Sequence, residues 1–411
     1  MRLTERRDPL DGRRIVLGVS ASIAAYKAVY LASRLVQSGA VVDVVMTPEA
    51  TELVRPLSFQ AITHRPVAVE MFGLLAETEI GHVTLGQAAD LVVVAPATAN
   101  TIARLALGLA DDMLVTTVLA SRAPLIVAPA MESTMYQQAA VQEHLATLRS
   151  RGAVVVGPDT GRLASGLEGP GRMAEPEELV ETAKLVLARR GDLAGRRLVV
   201  TAGPTQEPID PVRFLSNRSS GKMGFAVAEA ARDRGAEVVL VAGPTCLRPP
   251  LGARLVPVRT AAEMLDAVLR EEPSADALIM SAAVADFRPA VAAEQKIKKT
   301  GEALALSLEP TVDILGALAE RPRRGVRVGF AAETERLVER ARQKLQQKRL
   351  DLIVANDVTV PGSGFGSEQN QAVLIARDGR EEPLPLMPKV QLAHRILDEV
   401  RRLWGASASE G

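Results

Sequence analysis

One cysteine, Cys246, stands in 411 residues. That excludes a disulfide framework and any cysteine-based zinc site, and it fits a reducing compartment. Histidine is nearly as scarce, with only His64, His82, His144 and His394. Neither sign of charge prevails: 49 basic side chains face 49 acidic ones. The sequence therefore lacks the basic footprint expected of a nucleic-acid or acidic-membrane binder. No apolar run approaches the roughly 18 residues needed to span a bilayer. The opening stretch MRLTERRDPLDGRR is charged and lacks the apolar centre of a signal peptide. What remains is the profile of a cytoplasmic globular protein of two or three domains.

The apolar runs Ile15–Val19, Val41–Met46, Leu91–Ala95, Leu125–Ala128 and Val154–Val156 are short, β-branched and bounded by turn residues. Segments of helical period separate them: Ser22–Ser38, Thr98–Leu107 and Gln138–Arg151. This alternation predicts a parallel sheet with helices on both faces. A further helix is expected from Glu177 to Arg190, followed by a hinge at Arg189–Asp192. The pattern then restarts. Arg13-Arg14-Ile15-Val16-Leu17 has a counterpart in Arg196-Arg197-Leu198-Val199-Val200, and Ala89-Asp90-Leu91 in Ala275-Asp276-Ala277. The fold class is α/β, with two tandem doubly wound, Rossmann-like domains over 1–190 and 191–411. Ligands of such sheets bind beyond the carboxyl ends of the strands. The tail Ala406–Gly411 reads as disordered.

The second half is organised around 201–227, TAGPTQEPIDPVRFLSNRSSGKMGFAV. An apolar strand precedes this loop, and an amphipathic helix over Gly224–Arg234 follows it. At the junction, Ser219, Ser220, Gly221 and Lys222 offer backbone N–H groups, hydroxyls and an ammonium to a phosphorylated ligand. It is not a Walker A loop, because Ser216 and Met223 occupy its first-glycine and Ser/Thr positions. Nor is it the G-x-G-x-x-G dinucleotide fingerprint, which weakens the competing reading of a tandem dehydrogenase. In isolation the loop also reads as an ordinary Ser/Gly helix cap.

In the first half, the strand-end loops carry Ser20, Ser22, Thr47, Thr98 and Asn100 without a cluster of Lys or Arg. Hydroxyls and helix N-termini can hold a monophosphate, and Asn100 can hydrogen-bond a flat heterocycle. His82 is either a structural residue or a general acid/base.

The segment HVTLGQAADLVVVAPATANTIARLALGLADDML, with APAM at 128–131, resembles the flavin-containing cysteine decarboxylases. The 201–226 stretch resembles phosphopantothenate–cysteine ligase, together with SAAVADFRP (281–289), QKIKK (295–299), GFAAET (329–334) and ANDV (355–358). Joined in this order, residues 12–403 resemble the bifunctional coenzyme A biosynthesis enzymes of bacteria. The resemblance implies a flavodoxin-like first domain with FMN near a subunit interface, and CTP with Mg²⁺ in the second. The substrates it implies are 4'-phosphopantothenate, cysteine and CTP. It also implies trimeric decarboxylase halves and dimeric ligase halves, compatible with a dodecamer. In that chemistry, flavin transiently oxidises the cysteine thiol so that the α-carbon can lose carbon dioxide. CTP activates the carboxylate as an acyl-cytidylate, and cysteine displaces CMP.

The resemblance places His82 on the essential decarboxylase histidine and Asn217 on the residue that orients the acyl-cytidylate. It places Met280, Asp286, Lys296, Asp313, Phe330, Lys344 and Lys348 around CTP, Asp286 also serving the metal. Lys296 and Lys298 share one face if QKIKK is strand-like, and Lys344 and Lys348 share a helix face. Two positions depart from the family. Glu132 stands where Asn commonly recognises the substrate carboxylate, and Ser165 stands nearest the cysteine of the flap 161–173. A hydroxyl is a far weaker acid than a thiol. Three readings of the first half follow: an active decarboxylase with altered donors, one that cannot re-reduce its product, or a flavin-binding scaffold. A peptidyl-cysteine decarboxylase fits poorly beside the ligase half. The Gly-rich loop Pro361–Gly366 reads as a mobile flap, and Cys246 has no assigned role.

Overall fold

Short β-branched runs form the strands of two sheets. In the first, parallel strands lie in the order Val67–Ala68, Val41–Met46, Arg14–Val19, Leu91–Ala97, Leu125–Pro129 and Val154–Val155. The second repeats the order with Arg254–Pro257, Glu237–Ala242, Arg197–Ala202, Ala277–Met280, Val326–Glu333 and Leu352–Asp357. It then adds the antiparallel strands Gln369–Ala376 and Glu381–Pro388. Both units are therefore doubly wound α/β sheets. The computed structural model describes residues 8–71, 81–299, 303–333, 336–357, 362, 364 and 366–409. Its contacts divide the chain into compact units Met1–Leu187 and Ala188–Gly411.

Each sheet is buried on both faces, as period-2 alternation between two apolar layers requires. In the first unit Ile15, Leu17 and Val19 pack on one side with Leu31 and Leu35. Val16 points to the other side with Ile102 and Leu114. Helix Ala25–Gln37 supplies Ala28, Leu31, Ala32 and Leu35 at helical spacing. In the second unit Leu198 and Val200 meet Val227 and Ala231, while Val199 meets Met264 and Val268.

The internal repeat extends to individual hydrogen bonds. Asp90 accepts from the Arg14 N–H at 2.8 Å and from Arg13 Nη1 at 3.2 Å. Asp276 accepts from the Arg197 N–H at 2.8 Å and from Arg196 Nη1 at 3.2 Å. One aspartate thus ties the first strand of each sheet to the start of its neighbour.

Several expectations need correction. Helix Lys389–Ser409 includes most of the tail expected to be disordered. The expected hinge Arg189–Asp192 is not among them: it lies beside the division between the units at Leu187 and Ala188, and Asp192 is held within the second unit by Arg234 at 2.9 and 2.7 Å. Residues 295–299 form no strand, so the expected shared face of Lys296 and Lys298 has no strand behind it. The apolar run over 277–284 predicts a strand that Asp286 ends, but the strand stops at Met280. Of the Gly-rich loop, Pro361, Ser363 and Phe365 lie outside the described residues.

Candidate active sites

In the first unit, loops at the carboxyl ends of the strands enclose a cavity of about 670 Å³. It brings together Ser20, Ser22, Thr47, Thr98, Asn100, Glu132 and Ser165, all singled out from the sequence. Several of their hydroxyls already serve the frame. Ser20 Oγ donates to the Pro96 carbonyl at 2.8 Å and accepts from the Thr98 N–H at 3.0 Å. Thr47 caps the 3-10 turn that follows it, and Thr98 caps helix Ala99–Leu107. Ser22 accepts from the Ala24 N–H at 3.3 Å. Helix Ala25–Gln37 beside it has no side-chain cap; the Ala25 and Lys27 N–H groups already donate to the Ser22 and Ala24 carbonyls at 2.8 and 2.9 Å, so an anion there would draw on the remaining donors of this turn.

Glu132 is neither protonated nor idle. Its Oε2 accepts from the Thr134 N–H at 2.5 Å, capping the short helix Ser133–Gln137. Backbone N–H groups, Thr134 first, hold its carboxyl below the usual range despite partial desolvation. Its Oε1 is buried without a hydrogen-bond partner. Ser165 sits at the exposed tip of the hairpin Asp159–Arg162/Glu168–Arg172. That hairpin is seated on the Glu132 loop: the Met131 N–H donates to the Gly171 carbonyl at 3.0 Å. A Cβ at Gly171, whose φ is +159°, would lie 2.2 Å from the Met131 carbonyl oxygen.

His82 does not line this cavity. It is the second residue of helix Gly81–Ala88, half-buried, and its Nδ1 is buried without a partner. The cavity includes residues the sequence reading missed. Lys27 is buried and donates to the Met173 carbonyl at 3.0 Å and to Glu175 at 2.8 Å. Its place on the apolar face of helix Ala25–Gln37 is a signal that helical spacing could have revealed. Arg162 and Arg172 bring positive charge from the hairpin.

In the second unit a cavity of about 600 Å³ gathers Asn217, Ser219, Ser220, Gly221 and Lys222 with Met280, Asp286, Asp313, Phe330, Lys344 and Lys348. Gly221 has φ +80°, in the left-handed region that favours glycine. It starts helix Lys222–Asp233 hard against the first strand: a Cβ at Gly224 would lie 2.6 Å from that of Ala202. The 281–287 loop is fixed along the same strand end. Thr201 Oγ1 accepts from the Ala282 N–H at 3.1 Å, and Thr205 Oγ1 from the Ala285 N–H at 2.9 Å. Asn217 Nδ2 donates to the carbonyls of Ala283 and Val284 at 3.3 and 3.0 Å.

The cations of this cavity have internal partners. Lys222 donates to the Gly366 carbonyl at 2.8 Å and to Glu368 at 2.6 Å. That ammonium holds the Glu368 carboxyl below its usual range. Lys344 donates to the Phe330 carbonyl at 2.9 Å, and Lys348 pairs with Asp313. Burial pushes the Asp313 carboxyl up, but Lys348 and the Gly316 N–H outweigh it and hold the group low.

Lys389, which no sequence signal marked, lines the cavity with its ammonium on Asn370 Oδ1 at 3.0 Å and the Gln369 carbonyl at 3.2 Å. Burial pushes its pKa down.

Lys296 is exposed and outside this lining. Its neighbour Ile297 is pinned to Asp210, which also receives the N–H groups of Val212 and Arg213. Burial opposes ionisation of Asp210, yet these donors and the Arg213 charge lower its pKa to about 2. Among the described residues no group of three or more His, Cys, Asp or Glu side chains could hold a metal ion. No described helix is long and apolar enough to cross a membrane.

The family model "Flavoprotein" matches residues 3–187, and "DNA/pantothenate metabolism flavoprotein C-terminal domain" matches 193–403. The coenzyme A biosynthesis bifunctional protein CoaBC of Bacillus subtilis is 46% identical over 397 residues, covering 96% of this chain and 98% of its own length. Its counterpart in Escherichia coli K12 is 47% identical, covering 95% and 97%. A crystal structure of the C-terminal domain of a CoaBC protein is 42% identical, covers 52% of this chain and 97% of its own, and superposes with a TM-score of 0.45. Two family models in tandem and near-complete coverage by these relatives lead to one conclusion: the chain belongs to the family of bifunctional coenzyme A biosynthesis proteins.

Proposed function

We propose that the second unit condenses 4'-phosphopantothenate with cysteine using CTP, and that the first decarboxylates the product to 4'-phosphopantetheine with FMN. The observation that carries this reading is that every predicted ligase residue except Lys296 lines one cavity. A carboxylate is too poor an electrophile for an amine. Its oxygen therefore attacks the α-phosphorus of CTP, pyrophosphate leaves, and the cysteine nitrogen then displaces CMP from the acyl carbon. Lys344 and Lys348 lie on one side of the pocket for the triphosphate, which brings its own magnesium ion, and Phe330 offers a face for cytosine. The donors at Ser219–Lys222 take the phosphate of the pantothenate substrate. Asn217, fixed by two backbone carbonyls, keeps Oδ1 available to orient the acyl group.

In the first unit, the uncapped helix start, Ser22 and Thr98 suit the phosphate of FMN, and Asn100 suits its ring. The cavity size and the hydroxyls at the strand ends fit that cofactor, with Lys27, Arg104, Arg162 and Arg172 adding positive charge to the lining. When bound, FMN supplies reversible two-electron oxidation of the cysteinyl thiol, the electron sink that decarboxylation needs. Arg162 and Arg172 of the hairpin supply the charge for the substrate carboxylate, because an ionised Glu132 repels it. His82 does not line the first cavity and Lys296 does not line the second, and in this reading neighbouring copies complete each site. Exposed Leu57, Ile23 and Tyr26 in the first unit, and Phe287 and Val291 in the second, offer apolar surface for such contacts.

A second reading keeps the ligase but makes the first unit an impaired flavoprotein. The ionised Glu132 and the weakly acidic Ser165 at the hairpin tip favour it. Purified protein should be yellow with a flavin absorption spectrum and should release pyrophosphate only when 4'-phosphopantothenate and CTP are both present. A colourless protein that cannot be loaded with FMN removes the decarboxylase assignment, and pyrophosphate release with neither acid nor amine dependence removes the ligase.

A further inference from the structure

The second unit has another cavity, of about 800 Å³, at the opposite end of its sheet from the ligase pocket. Arg327, the second residue of strand Val326–Glu333, lines it, whereas Phe330 and Ala331 of the same strand line the ligase pocket. Leu350, just before strand Leu352–Asp357, and Ala376, at the end of the antiparallel strand Gln369–Ala376, belong to the same wall. The floor is apolar and buried, built from Leu345, Leu350, Ile375 and Ala376. Six arginines surround it: Arg321, Arg323, Arg327, Arg342, Arg349 and Arg377.

Part of that charge belongs to the frame. Arg327 is buried, donates to Glu272 at 3.1 and 2.7 Å, and also meets the Leu318 carbonyl at the end of helix Ile314–Ala319. Arg349 donates to the Ala319 carbonyl at 3.2 Å, and Arg323 to the Arg349 carbonyl at 3.0 Å. These contacts offset the negative ends of two helices. Asp351 takes Arg323 at 2.7 Å and Arg377 at 3.5 Å, and Glu381 takes Arg342 at 2.6 Å. Three carboxylates, Glu272, Asp351 and Glu381, thus face six guanidinium groups, leaving a positive excess around an apolar floor.

We propose that this cavity binds an organic polyphosphate of nucleotide size. Guanidinium forks match phosphate oxygens in bidentate geometry, and arginines already fixed by carbonyls and carboxylates lose little further freedom on binding. The Leu345–Ile375 floor receives the planar or aliphatic body of the ligand. The volume falls within the roughly 300–1,000 Å³ of small-molecule sites. This site shares no lining residue with the ligase pocket, so it stands whether or not the ligase reading does.

The probe is ATP, titrated calorimetrically into the full chain without CTP, and the equivalent that belongs to this cavity is the one sensitive to reversal of its lining charges. Wild type is expected to bind one such equivalent per chain. Arg321→Glu and Arg377→Glu, both at exposed positions, should each weaken that binding by about tenfold or more. Arg324→Glu, exposed but outside the lining, should leave it unchanged, and all three variants should keep the wild-type thermal unfolding profile. Inorganic tripolyphosphate should bind more weakly than ATP, because it leaves the floor uncovered. No ATP binding by wild type, or binding insensitive to both lining reversals, overturns the proposal. Equal affinity for ATP and tripolyphosphate overturns the role given to the floor.

Discussion

The two units share a sheet order and an aspartate latch, yet they hold their ligand-facing groups differently. In the first, Ser20, Thr47 and Thr98 are committed to capping and crosslinking the loops that carry them. Its hydroxyls are fixed by the frame, and its buried cation Lys27 is tied to the Met173 carbonyl and Glu175. In the second, Lys222 and Lys348 rest on Glu368 and Asp313. A triphosphate or phosphate entering there must exchange one anionic partner for another. One architecture therefore carries a pocket whose hydroxyls are fixed by the frame and another whose cations are paired with carboxylates across it. The physical difference lies in the strand-end loops, as expected for grafted function on a common frame.

The largest effects should come from separating the two chemistries. His82→Asn should lower decarboxylation of supplied 4'-phosphopantothenoylcysteine by about 10²–10⁴-fold, with flavin absorbance and CTP-dependent coupling retained. Asn217→Ala should lower coupling by about 10²–10³-fold, with decarboxylation retained. Product quantification by mass spectrometry checks both, and loss of both activities in either variant breaks the comparison.

Next in size is Gly224→Val. Its side chain would meet Ala202 and the Thr201 carbonyl at 2.6 and 2.8 Å, costing about 1–3 kcal/mol. The helix start that carries Lys222 would shift, so the Michaelis constant for 4'-phosphopantothenate should rise. Wild-type stability and kinetics would show that the close approach is unimportant.

The matched aspartates sharpen the comparison further. Asp90→Ala and Asp276→Ala each remove an acceptor for a strand-start N–H and an arginine, and each should cost about 1–2 kcal/mol. Asp276 is less exposed than Asp90, at 18% against 36% of its side chain, so its loss should be the greater. Chemical denaturation monitored for each unit tests the ranking.

The smallest effect concerns the arm in which Asp210 holds the Val212, Arg213 and Ile297 N–H groups. Its carboxyl ionises near 2 against an ordinary 3.8. The depressed group therefore stabilises the folded arm above pH 3.8, and that contribution is lost as the pH falls toward 2. Asp210→Asn should remove the acid dependence in that window, read from acid titration of unfolding. An unchanged titration curve would detach Asp210 from the arm's stability.

Much of this frame was legible because periodicity and burial coincide. Val41–Met46 reads as a strand and is one, and helix Ala99–Leu107 begins at the Thr98 cap that its sequence announces. Other elements carried conflicting signals. Met113–Leu119, MLVTTVL, is an apolar β-branched run that nevertheless forms a helix behind the Asp112 cap. Glu381–Pro388 contains three prolines and still pairs as an edge strand, where missing N–H groups cost little.

The cavity of the second unit gathers residues that family motifs single out, together with unmarked ones such as Thr311, Asn370 and Lys389, the last from a distant helix start. Lys296 and His82 show the remaining limit. Their motifs single them out, but neither lines the cavity described in its own unit.

The central claim is that one chain carries both reactions in succession. It is tested most directly by mass spectrometry of products from purified, FMN-loaded protein given 4'-phosphopantothenate, cysteine, CTP and Mg²⁺. The account predicts 4'-phosphopantetheine as the end product, with 4'-phosphopantothenoylcysteine as a transient. Stable accumulation of that adduct would contradict the decarboxylase half, and intact CTP with no adduct would contradict the whole account.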